Sequence, residues 1–239
     1  MSFEAGPPHR LQIEAEVAQR FPGYAAFVIY AYDVNNGPSD EFSTGQLRAA
    51  EQIQRRALLG GKASDHPHMA AWREAYRAFG LKPSRYPNSA EALLGRVLRG
   101  EPLPAINRLV DLYNAVSVKR VLPVGGEDLD RVTSNPTLSF ARGDECFDTV
   151  RGGEPVVEMP PRGEVVWRDQ NGVTCRAWNW RQGVRTRLTE ATRHAYFVLD
   201  RLPPYGLADL RAAGEELGHL IRAASPGCSL ETIVLGPFS

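Results

Sequence analysis

Lysine is almost missing: Lys62, Lys82 and Lys119 are the only three in 239 residues, against 25 arginines. Genome base composition accounts for such a bias, and so does a need for the planar guanidinium fork, which meets phosphate and carboxylate by shape as well as by charge. Neither sign prevails. Lys+Arg and Asp+Glu each total 28 and the formal net charge is zero, which argues against a protein that coats nucleic acid by bulk electrostatics and leaves only a local basic patch. Cys146, Cys175 and Cys228 are odd in number and far apart. A disulfide framework and a cysteine zinc site are therefore not expected, and a reducing cytoplasm suits the chain. The stretch "MSFEAGPPHRLQIEAEV" carries charges where a signal peptide would be apolar, and no run is long enough to span a bilayer. The expectation is a cytoplasmic protein with no membrane partner.

Standard catalytic signatures are missing as well. No Walker loop, Gly-x-Gly-x-x-Gly after a strand, Gly-x-Ser-x-Gly elbow or His-Glu-x-x-His occurs. His66-Pro67-His68 is the only close histidine pair, and the proline reads as a loop at a helix start with no announced third ligand. No metal and no cofactor are expected.

What is present has the composition of a globular protein, with 43% hydrophobic and 23% charged residues. The length fits one large domain or two small ones, and a single domain over residues 1–239 is the expectation. Alternation in "LQIEAEV" (11–17) predicts a half-buried strand, and the continuous apolar run "YAAFVIYAY" (24–32) a central one. Residues 40–58 read as helix. The stripe Met69, Trp72, Ala75, Tyr76 and Phe79 marks another, stopped by Gly80. Asn88 with Glu91 reads as a cap opening helix 89–99. A helix starting near Pro104 would place Ile106, Leu109, Val110, Tyr113 and Val116 in the core. Further on, "GEVVWRD", Gln170-Asn171-Gly172 and "VTCRAWNWRQ" read as a hairpin. "HAYFVLD" reads as a strand, "LADLRAAGEELGHLIRAA" as an amphipathic helix and "ETIVL" as a closing strand. The pattern predicts an α+β fold with a mixed β-sheet and flanking helices.

Two polar features compete with purely structural readings. Asn107, Asp111, Asn114 and Ser117 form a second stripe on the same helix. A solvated face is the plain reading, but short amides with one carboxylate also suit a ligand's amino and hydroxyl groups. In "RAWNWRQ", alternation would put Arg176, Trp178, Trp180 and Gln182 on one strand face and Ala177, Asn179 and Arg181 on the other. The tryptophans could cover a core. Yet residues 176–193 hold Arg176, Arg181, Arg185, Arg187 and Arg193 against one acid, Glu190. A local positive field beside aromatic surface suits a phosphate and a stacked base.

One resemblance bears on these alternatives. The segment 72–132 carries Phe79-Gly80, the run Pro83 to Glu91, Leu103-Pro104, Asn107-Arg108-Leu109-Val110-Asp111, Asn114, Pro123 and Asp128-Leu129-Asp130. It resembles the B3/B4 domain of the bacterial phenylalanyl-tRNA synthetase beta chain, and more closely its free-standing relatives. Residues 163–200 look like the second half of that domain, so the likeness spans about 65–200. It implies a phenylalanyl-tRNA synthetase B3/B4-like fold and a part in translation quality control. There the domain hydrolyses wrongly attached amino acids, chiefly tyrosine, from the 3′ end of tRNA. Water attacks the ester without a metal, aided by positioning and oxyanion stabilisation. The implied partners are a tRNA acceptor end or aminoacyl-tRNA, with an aminoacyl-tRNA synthetase as a further candidate and no DNA.

The chain departs from the synthetase pattern in three places. A Pro-x-His run becomes Pro123-Val124-Gly125-Gly126, with glycine where the histidine stands. The small Ala-Gly-x-Met-Gly-Gly pocket segment becomes Ala177-Trp178-Asn179-Trp180-Arg181-Gln182. The pocket glutamate has Asp200 as its nearest counterpart. The expectation is a stand-alone deacylase of mischarged aminoacyl-tRNA, with Asp111, Asn179, Arg181 and Asp200 as catalytic candidates. Asn107, Asn114, Ser117, Arg176, Trp178, Trp180, Gln182 and Arg185 are the candidates for holding substrate. A module that binds tRNA ends or an amino-acid derivative without cleaving anything is the alternative.

Overall fold

The computed structural model describes residues 9–236. The chain runs through strand β1 (Gln12–Ile13), helix α1 (Ala15–Arg20), β2 (Ala25–Tyr32), α2 (Glu41–Ala57), α3 (Pro67–Ala78), α4 (Ser89–Leu98) and α5 (Arg108–Arg120). Strands then dominate: β3 (Val124–Asp128), β4 (Thr137–Phe140), β5 (Phe147–Arg151), β6 (Glu154–Glu158), β7 (Val165–Asp169), β8 (Gly172–Arg176), β9 (Arg181–Gln182) and β10 (Ala195–Arg201). Helix α6 (Leu207–Ala224) and β11 (Ser229–Leu235) follow.

Four strands form an antiparallel sheet in the order β11-β2-β10-β3. Five form a second sheet, β1-β4-β7-β8-β9, which is mixed because β1 runs parallel to β4. The β5-β6 hairpin stands apart. The fold is α+β with a mixed sheet and flanking helices. The long apolar run of β2 has a direct cause, because both of its faces are covered. Phe27 and Ile29 pack in one cluster with Leu210, Leu217 and Ile221 of α6 and Leu112 and Val116 of α5. Val28 and Tyr30 pack in the other, with Met69 and Trp72 of α3. Helix α6 lies so close to β2 that a Cβ at Gly214 would overlap the Phe27 ring.

Asn88 caps α4 through a bond from the Glu91 backbone N–H at 2.9 Å. Two predicted elements before residue 121 differ. Residues 11–17 pair as strand only at Gln12–Ile13 and then turn into α1. Ala15, Glu16, Ala18 and Gln19 are good helix formers, and they outweigh an alternation that only Leu11 and Val17 need for burial. Pro104 does not open α5. The helix starts at Arg108, where the Asn107 side chain accepts the Val110 N–H at 3.1 Å, and Ile106 is left 54% exposed in the preceding loop.

The polar stripe on α5 is not a solvated face: Asn107, Asp111, Asn114 and Ser117 are all buried. Asn107 also accepts from Asn36 Nδ2 and donates to the Leu188 carbonyl. Asp111 accepts from Ser43 Oγ and the Ile106 N–H, tying the start of α5 to the capped start of α2. Ser117 donates to the Leu122 carbonyl, beside the left-handed Val121 (φ 53°) that ends the helix. Three of the four residues therefore serve the helix ends.

Candidate functional site

The strand expected over 173–182 is interrupted, and the interruption makes the site. β8 and β9 pair through Cys175 with Gln182 and Arg176 with Arg181, so residues 177–180 form the loop between them. Ala177 and Trp178 sit at φ 46° and 65°, in the left-handed region that costs a non-glycine residue roughly 1–2 kcal/mol. The loop is held from every side. The Ala177 N–H donates to Glu164 Oε1 at 2.9 Å, the Trp178 N–H to the Val165 carbonyl at 2.6 Å, and the Ser89 N–H to the Asn179 carbonyl at 3.0 Å. Trp178 is completely buried, with Phe21 and Tyr24 ring centroids at 4.8 Å and Trp72 at 5.2 Å. The two tryptophans do not share a face. Trp178 faces inward, while Trp180 is half-buried against Tyr86 at 4.8 Å with the Arg181 guanidinium 4.6 Å over its ring.

The turn aims Asn179 into a cleft of about 250 Å³ between α4, α5, β3, β7, β8 and β10. Asn114, Trp178, Asn179, Trp180, Arg181, Gln182 and Asp200 all line it, so seven expected residues come together. Asn107, Asp111 and Ser117 do not reach it, for the reason given above. Nor do two of the arginines. Arg176 is buried with two bonds to Glu164, at 2.9 and 2.7 Å, and one to Glu158 at 2.7 Å. Arg185 grips Asp169 with two bonds, at 2.9 and 2.7 Å. The expected positive field is thus largely neutralised at Arg176 and Arg185, and of the expected arginines Arg181 alone stands at the cleft.

Asp200 is buried at the cleft wall. Tyr24 Oη donates to its Oδ1 at 2.6 Å and Asn179 Nδ2 to its Oδ2 at 3.1 Å, while Tyr76 Oη donates to Asn179 Oδ1 at 2.8 Å. Burial pushes the Asp200 carboxyl up to about 6, against the lowering effect of Tyr24 and Asn179. The Asn179 amide is thus spent between Tyr76 and Asp200.

Glu127 is the cleft residue that sequence reasoning passed over. It lies in β3, paired with Tyr196 of β10, is only 3% exposed, and lines the cleft. The signal was the pair of glycines before it. A Cβ on Gly126 would sit 2.7 Å from the Phe197 ring, and one on Gly125 would crowd Gln182 Nε2 at 3.3 Å. The strand is cleared of side chains just where a carboxylate follows. Burial raises the Glu127 carboxyl to about 7, opposed by the Tyr196, Thr186 and Thr174 hydroxyls. Between about 4.5 and 7 the folded protein holds a proton that the unfolded chain has released. This group therefore makes stability fall as pH rises through that window, by about 3 kcal/mol in all. Glu127→Gln should accordingly be more stable than the parent at pH 8 by that order and nearly equal to it at pH 4.5, as read by urea denaturation at both values.

The described residues contain no group of three or more His, Cys, Asp or Glu placed to hold a metal ion. None of their helices is long and apolar enough to cross a membrane. His68 is buried and structural: its Nε2 accepts from Trp72 Nε1 at 3.0 Å, and burial lowers it to about 4.

Comparison with known proteins agrees with this architecture. The family model for the B3/4 domain matches residues 71–210. No curated protein matches the chain. Every residue lining the cleft falls within the matched span, and the family points to a tRNA-binding or editing-related role. With more than half of its length matched and the cleft wholly inside the match, the chain belongs to the B3/4 domain family.

Proposed function

We propose that this protein hydrolyses the ester of a mischarged aminoacyl-tRNA, with the aminoacyl group in the cleft and the terminal nucleotide at its mouth. The observation that carries the reading is a cleft of about 250 Å³ in which two buried carboxyls, Asp200 and Glu127, are raised to about 6 and 7 among aromatic walls. That volume suits one amino-acid side chain and is too small to enclose the terminal adenosine as well. Carboxyls poised near neutrality can take a proton from water and return it. In the proposed step, water oxygen bonds to the acyl carbon as Asp200 receives its proton. The ester C–O bond then breaks, and the ribose oxygen leaves with the proton that Asp200 returns to it. Tyr24 and Asn179 fix Asp200, and the exposed Arg181 beside Trp180 supplies positive charge for the developing oxyanion or a tRNA phosphate. Gln182 donates to the Gly126 carbonyl at 2.8 Å and braces β3.

The test is release of radiolabelled amino acids from a panel of aminoacyl-tRNAs that includes tyrosyl and seryl species. At least one species should be released above buffer, and Asp200→Asn should slow it by about 10²-fold or more. No release from any species would overturn the enzyme reading; release indifferent to Asp200→Asn would move the chemistry out of this cleft. The binding-only reading is favoured by one observation, that both Asp200 oxygens already accept protein hydrogen bonds. Tight binding of aminoacyl-tRNA without release would support it.

A further inference from the structure

Eight carboxylate residues are buried among the described residues: Glu51, Asp111, Glu127, Asp128, Glu145, Glu164, Asp169 and Asp200. Seven of them are provided for. Glu51, Glu164 and Asp169 are held by arginines and by backbone N–H groups. Glu145 accepts from the Arg142 and Gly143 N–H groups. Asp111, Asp128 and Asp200 accept from hydroxyls together with a backbone N–H or an amide. Glu127 is the exception: its Oε2 is buried with no well-formed hydrogen bond, and no cationic side chain pairs with it among the described residues. The Tyr196, Thr186 and Thr174 hydroxyls lie near enough to favour its ionised form, but they are neutral, and neither threonine hydroxyl makes a well-formed hydrogen bond. Arg185, whose charge reaches Glu127, is committed to Asp169.

A buried carboxylate oxygen without a partner is costly, and such groups persist where something outside the chain completes them. This one opens on a cleft whose other walls include Tyr113, Trp167, Cys175 and Tyr196. Within that wall only Asp200 is also acidic, and it is already satisfied. The complement of an unpaired carboxylate in an aromatic cleft is a cation small enough to enter, and a primary ammonium donates hydrogen bonds as well as charge.

We propose that Glu127 is the ammonium-binding residue of the cleft and selects ligands that carry a primary ammonium group over equally sized uncharged ones. This rests on the reading of the cleft as an acyl-group site. The ammonium is either the α-ammonium of the aminoacyl group or one at the end of its side chain. A hydrocarbon ligand would leave the carboxylate unpaired, which is the situation in which a polar site discriminates most strongly.

Three probes without an ester separate the possibilities: L-phenylalaninamide, Nα-acetyl-L-lysinamide and 3-phenylpropanamide, titrated into the full chain by calorimetry near neutral pH. One ammonium probe should bind about tenfold or more tightly than the uncharged amide, and Glu127→Gln should abolish that preference while Asp200→Asn retains it. A win for phenylalaninamide assigns the α-ammonium; a win for the lysine derivative assigns a side-chain ammonium. Equal binding of the uncharged amide, a preference that survives Glu127→Gln, a preference abolished only by Asp200→Asn, or no binding of any probe at millimolar concentration overturns the proposal. Because no probe can be hydrolysed, these results stand apart from the outcome of the deacylation panel.

Discussion

Trp178→Ala should destabilise the protein by about 3–5 kcal/mol and lower Tm by about 10 °C. The ring is fully buried among Phe21, Tyr24, Trp72 and Phe79, contributed by two separate stretches of the chain before residue 80. Removing it leaves a cavity that those rigid rings cannot fill, and alanine gains nothing at the backbone because φ there is 65°. Glycine adopts that angle without a Cβ penalty. Trp178→Gly should therefore be the milder substitution by about 1 kcal/mol, although glycine is ordinarily the costlier choice. Thermal denaturation of both variants measures the strain directly. If alanine proved milder, packing alone would account for the turn. The proposed deacylation should fall in both, since the turn carries Asn179 to Asp200.

Glu164→Gln should cost a comparable amount, about 3–5 kcal/mol, because it breaks a buried pair from one side. The glutamate side chain is fully buried and takes two bonds from Arg176 and one from the Ala177 N–H. The variant leaves the Arg176 guanidinium, 7% exposed, with Glu158 as its remaining ion-pair partner. Replacing both members, as Arg176→Met with Glu164→Leu, should recover much of the loss, since no buried charge is then stranded. A double-mutant cycle in urea reads the coupling. Additive losses would mean that the pair does not act as a unit.

Much of the frame was legible locally. The helix over 40–58 shows in residue propensities, and Asn88 announces its own cap. The run at 24–32 is continuous because β2 is covered on both faces. Where local signals conflicted, reading along the chain failed. "LQIEAEV" alternates yet is built mostly of helix formers, and Pro104 competes as a start signal with the better cap, Asn107. The stripe on α5 was visible as a pattern, but its meaning was not: Asp111 and Ser117 bond to residues at the ends of helices, and only packing of α5 against α2 shows that Ser43 is the partner.

The family and the region of the cleft were fixed by sequence alone, because ordered residues over a long span carry the resemblance and the cleft lies inside it. Three things were decided only by the tertiary structure. Residues 177–180 form a turn and not a strand, because aromatic rings from distant segments hold Trp178 in a left-handed conformation that no local rule would assign to it. Two of the five arginines within residues 176–193 are spent on acids at Glu164 and Asp169, pairs whose formation depends on strand register and not on composition. Among the buried carboxylates of the described residues, Glu127 alone keeps an oxygen without a well-formed hydrogen bond. A missing partner is a property of everything packed around a residue, and no sequence pattern encodes it.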